Sequence, residues 1–104
     1  MNNVSDNFKF FMEESGDAGE AFMEAVMRIS NASALDKKTG KLAYIAVLAA
    51  TGILGGLPFH VKSAKLLGAS RAEIKSALLV GMPVTGLKVT EALLIGLNSY
   101  DEEE

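Results

Sequence analysis

Residues 36–54 read DKKTGKLAYIAVLAATGIL, and this stretch decides the fold. It opens with charges and then turns apolar on every side, the pattern of a helix buried in a core or a subunit interface. Its alanines and glycines permit close approach of a neighbouring helix. Nothing in it alternates with period two, and no other part of the chain shows the β-branched alternation of a half-buried strand. The fold class is therefore all-α. Residues 42–59 run for 18 residues without a charge, the minimum length for a membrane span. Gly52, Gly55, Gly56 and Pro58 interrupt that run near its end, and only Tyr44 and Phe59 supply interfacial aromatics, so the reading is of no membrane.

Working outward, Gly55-Gly56 ends the third helix and Pro58 suits the first turn of a fourth, which carries His60 and closes at Gly68. Ser70-Arg71-Ala72-Glu73 is a capping box ahead of Ile74, Ala77, Leu78 and Val80, which fixes the start of a fifth helix. Pro83 places a break between Gly81 and Gly86. A sixth helix over 87–98 directs Leu93, Leu94 and Leu97 inward. Upstream, a helix over 5–14 presents Phe8, Phe11 and Met12, and Ser15-Gly16 ends it. A second starts at Asp17 as N-cap, with Glu20 three residues on and Phe22, Val26 and Ile29 at helical spacing. Asn31, Ala32 and Ser33 close this hairpin. The expectation is one domain over 1–104 with about six helices: a hairpin at 1–34, a core at 35–98, and a solvated, frayed acidic end at 99–104. Met1, Met12, Met23, Met27 and Met82 read as core fillers.

Composition bounds the function. A 104-residue monomer buries about 60–65% of its unfolded surface, yet 49% of the residues are hydrophobic and the mean hydropathy is +0.24. The surplus apolar surface points to association of the chain with itself. A net charge of −3 without a basic stripe excludes nucleic acid as the expected partner. Asp6, Lys9, Glu13 and Glu14 break up the N-terminal apolar residues, which lack the pattern of a secretory leader, so the expected location is cytoplasmic. Cysteine is absent, which removes thiol nucleophiles, thiolate metal sites and disulfides together. With a single histidine and no suitable carboxylate cluster, neither a metal nor another cofactor is expected.

Two readings stand for His60. It shares a helical face with Ser63, Ala64 and Leu67, against an apolar wall near Lys41, where it can serve as a general acid or base or as a hydrogen-bonded structural group. Lys41 can grip a substrate carboxylate or snorkel from its helix into water. Lys62 and Lys38 are the other cations in reach, Lys62 being the second candidate for holding a substrate's negative charge.

Residues 35–97 resemble the carboxymuconolactone decarboxylase family. The resemblance rests on the helix opening Leu35-Asp36-Lys37-Lys38-Thr39, on His60-Val61-Lys62 with Ala64, and on Gly68-Ala69-Ser70 followed by Glu73-Ile74. It implies an alkylhydroperoxidase D-like helical subunit in a homotrimer or homohexamer, with pockets near subunit contacts. One branch of that family uses a Cys-x-x-Cys-x-x-x-His motif and an upstream Glu as a peroxidase relay. Laid on this chain through His60, the cysteine positions fall on Ile53 and Gly56 and the Glu position on Lys41, so the relay is lost. The other branch decarboxylates a lactone without a cofactor. Its implied activity here is an acid–base reaction, a carboxy-lyase type decarboxylation or an isomerisation of a small carboxylate or lactone, with His60 moving the proton and Lys41 or Lys62 holding charge. Gly55, Gly56 and Leu57 replace polar residues expected before the histidine. The alternative is a non-catalytic oligomeric binding or scaffold protein.

Overall fold

The computed structural model describes residues 4–103. Among them are seven α-helices and no strand: α1 Asp6–Glu14, α2 Asp17–Ala32, α3 Lys37–Thr51, α4 Leu57–Leu66, α5 Arg71–Leu79, α6 Met82–Thr85 and α7 Val89–Asp101. The helical starts follow the local chemistry. The Asp36 carboxylate accepts from the Thr39 N–H at 3.1 Å, and Ser70 and Glu73 form the reciprocal capping box at 3.1 and 2.9 Å.

Several boundaries differ from the sequence reading. Helix α3 stops at Thr51, three residues early, because Gly52 adopts a left-handed conformation (φ 78°) and the Ile53 N–H turns back to the Leu48 carbonyl at 3.0 Å. Residues Leu54–Gly56 then form a 3-10 turn leading into α4. Gly68 ends α4 in the same manner at φ 97°, with the Ala69 N–H on the Ala64 carbonyl. Gly16, at φ 57°, takes the N-cap place expected of Asp17. The break at 81–86 holds the four-residue helix α6, and a 3-10 turn at Gly86–Lys88 delays α7 to Val89.

Helices α3, α4, α5 and α7 pack on one another and enclose the core. Its members recur at helical spacing: Ile45, Leu48 and Ala49 from α3, Leu57, Val61 and Ala64 from α4, Ile74 and Leu78 from α5, Val89 and Ala92 from α7. Ile45, Leu57, Ile74 and Leu78 are fully enclosed, and each contributes about 2–3 kcal/mol of burial. Gly96 lets α7 approach α5 closely, since a Cβ there would sit 2.6 Å from Leu78 Cδ1. Leu93 and Leu97 pack on the core, but Leu94, turned about 100° from Leu93, is 63% exposed and not inward as expected.

At the acidic end Asp101 is still helical, while Glu102 and Glu103 lie beyond the helix and are exposed. Asp101 completes α7 and takes a two-pronged bond from Arg71 at 2.8 and 2.9 Å. Lys62 reaches Glu102 at 2.8 Å, and Lys65 donates to the Tyr100 carbonyl at 2.7 Å, so cations from α4 and α5 meet the negative end of the α7 dipole. Met1 and Glu104 lie outside the described residues.

Helices α1 and α2 pair through the Phe11 and Phe22 rings, edge to face at 5.9 Å, and make their main contact with each other, not with the bundle. Residues Arg71–Asp101 are long enough to cross a membrane and contain an 18-residue window with a mean hydropathy of 1.6. They are folded back, with α5 and α7 packed side by side around the turns at Gly81 and Gly86, so they form no straight spanning rod.

Candidate functional site

Helices α3 and α4 bring Lys41 and His60 together. Pro58 sets the first turn of α4, which places His60 two residues further along, facing the side of α3 that carries Lys41 and, one turn on, Tyr44. Lys41 Nζ lies 3.0 Å from His60 Nδ1. The Tyr44 ring covers the imidazole at 4.3 Å between centroids, and Phe59 meets it edge to face at 5.1 Å. Lys41 Nζ also stands 5.6 Å from the centre of the Tyr44 ring.

The electrostatics of this pair are unusual. Burial, and secondly the Lys41 charge, push the His60 pKa down to about 4. Burial also lowers that of Lys41. An ammonium only donates, so Nδ1 accepts from Lys41 and the ring proton resides on Nε2. At neutral pH His60 is thus a neutral imidazole offering one N–H, with a cation behind it. Its place in the first turn of α4, at the positive end of that helix, further disfavours imidazolium.

Lys62 is not part of this group. Two residues along α4 from His60 it points about 200° away, and its ammonium rests on Glu102 with 11% of the side chain exposed. Lys38 is held by the Glu73 carboxylate at 3.1 Å, which also receives the Ser70 N–H. Hydrogen bonds to the Ser70 backbone and to Lys38 hold the Glu73 pKa below its ordinary value. Tyr44 and Phe59 were missed from sequence. The signal for Tyr44 was its spacing of three from Lys41, which puts both on one helical face.

A second feature is an open apolar groove of about 610 Å³ between α3 and α5, lined by Leu42, Ala43, Ala46, Ala72, Ala77 and Val80. It lies on the opposite side of α3 from Lys41 and Tyr44, about half a turn round the helix. Groove and histidine are therefore separate sites. Among the described residues no group of three His, Asp or Glu side chains is placed to hold a metal ion.

The described residues thus form a cysteine-free helical bundle with a histidine in the first turn of α4 facing α3. The carboxymuconolactone decarboxylase family model matches residues 14–96, and the chain belongs to that family. The match begins upstream of the stretch 35–97 and takes in α2. No curated protein and no solved structure matches the chain. As a member without cysteine, it has no thiol nucleophile for a thiol peroxidase reaction.

Proposed function

We propose that this protein is a cofactor-free acid–base catalyst acting on a small carboxylate or carboxylated lactone, as a cytoplasmic homo-oligomer. The observation that carries the reading is the 3.0 Å contact between Lys41 Nζ and His60 Nδ1. With a pKa of about 4, His60 is a poor lone base, but it is well set as a relay. A substrate carboxylate is drawn to the Lys41 charge. Its C–C bond breaks, CO₂ leaves, and the electron pair passes into the conjugated carbonyl of the substrate as an enolate. His60 Nε2–H then delivers a proton to the carbon while Nδ1 takes one from Lys41, which is replenished from water. The sum is R–COO⁻ plus H⁺ giving R–H plus CO₂. In this relay the ring never carries the full imidazolium charge that its surroundings disfavour.

The test is CO₂ release from a panel of carboxylated lactones by the wild type and by His60→Gln, with the oligomer mass followed in parallel. Loss of turnover with unchanged mass is the expected result. Unchanged turnover removes His60 from the mechanism. A second reading, a non-catalytic binding or scaffold subunit, is favoured by the packing of His60 between the Tyr44 and Phe59 rings, which a purely structural histidine also adopts. It predicts that no panel member turns over and that His60→Gln weakens assembly instead.

A further inference from the structure

The chain exposes more surface than a compact monomer of its size should. Its accessible area is 6915 Å², against roughly 5,600 Å² for a folded monomer of 11.0 kDa. The radius of gyration is 14.0 Å, against about 12.9 Å. The excess of roughly 1,300 Å² exceeds the ~800 Å² that each partner buries in a standard stable interface. Exposed large apolar side chains occur over the whole surface, and the α1–α2 hairpin carries a group of them that includes Phe22, 52% exposed, and Ile29, 73% exposed.

We propose that the α2 face of one copy seats in the α3/α5 groove of another. The shapes are complementary: α2 offers large knobs, and the groove walls are cut back to Ala43, Ala46, Ala72 and Ala77. The spacings match as well. Phe22 and Ile29 stand two turns apart on α2, as Thr39 and Ala46 do on the groove wall of α3, each pair about 10.5 Å along its axis. Two hairpins packed on each other would instead oppose large side chains to large ones. The proposal rests on the self-association reading above and names the surfaces that carry it.

Ala43 and Ala72 are exposed in the subunit, so an arginine at either blocks the groove without entering the core. The experiment measures mass against concentration by light scattering for wild type, Ala72→Arg, Ala43→Arg and the double variant Phe22→Ser with Ile29→Ser, each checked for helical circular dichroism. Each variant should weaken association by about 30-fold or more, the cost of losing a buried interface anchor. Mixing Ala72→Arg with the Phe22→Ser, Ile29→Ser chain should restore dimers, because one intact knob then meets one intact groove. If both helical arginine variants keep the wild-type mass, the groove is not the interface and self-association stands on other surfaces. If the wild type is itself monomeric up to about 100 μM, an affinity below −5.5 kcal/mol in magnitude, the self-association reading falls with it.

Discussion

Lowering the pH from 7 to 4 should unload a measurable part of this protein's stability through a single side chain. His60 titrates at about 4 in the folded chain and near 6.5 when unfolded. Between those values the unfolded chain binds the extra proton, so the stability contribution is intact above pH 6.5 and is lost as pH falls towards and through 4. The full linkage would be about 3 kcal/mol at pH 4. Because the imidazole is only about half-buried, solvent screening reduces this to roughly 1–2 kcal/mol. Asp36, Glu73 and Asp101, whose pKa values are held down by hydrogen bonds and neighbouring cations, also lose stability in acid. Comparing urea unfolding of wild type and His60→Gln at each pH removes that common part. The protein has one histidine, so its ring proton resonance gives the titration without assignment. Lys41→Met should raise the midpoint by about one unit yet leave it below 6.5, because burial is the larger cause. A midpoint near 6.5 in both proteins, or identical acid slopes with and without the imidazole, would refute the geometry of the pair.

Replacing Gly96 by Ala should destabilise the bundle by about 1–3 kcal/mol in urea unfolding, and the effect should shrink in a Leu78→Ala background, since the added methyl meets Leu78 Cδ1 at 2.6 Å. Ser70→Ala removes the cap of α5 and should cost about 1 kcal/mol by the same assay. Arg71→Gln should speed amide exchange in the last turn of α7, and high salt should speed it in the wild type, because the Arg71–Asp101 pair is solvent-accessible. Gly56→Cys should fold, as its Cβ would meet His60 Cδ2 at an ordinary 3.5 Å. The His60 Nε2–H, with Nε2 4.0 Å from that Cβ, should lower the new thiol's pKa by donating to the thiolate, read from the pH dependence of its alkylation rate.

The bundle was legible because its signals are local. The capping box at Ser70 and Glu73, the stop at Gly68 and the spacing of Leu57, Val61 and Ala64 are read within one or two helical turns. So too was the approach of Lys41 to His60, since the apolar side of α4 has to face α3. The early end of α3 was not, because Ile53 and Leu54 look helical and the outcome turned on the left-handed bond closure at Gly52. The tail is legible only in part: Asp101, Glu102 and Glu103 are exposed, as a run of acidic residues suggests, but the three cations that receive the end of α7 come from α4 and α5, 30 to 40 residues away in sequence. Lys62 follows His60 by two positions, a separation that turns the two side chains apart on a helix, and its ammonium rests on Glu102. Tyr44 was passed over because an apolar run hides an aromatic whose partner lies on another helix.

The chain has no tryptophan and two tyrosines, and the fold puts each beside a different device. Tyr44 stacks on the imidazole, while Tyr100 lies under Lys65 and donates its hydroxyl proton to the Ala69 carbonyl. The near-ultraviolet emission of the protein is therefore a two-channel signal, uncontaminated by indole. One phenol senses the protonation of the ring it covers, the other the closure of α7 onto the α4–α5 turn, and removing either by Tyr→Phe leaves a single optical probe of the other event.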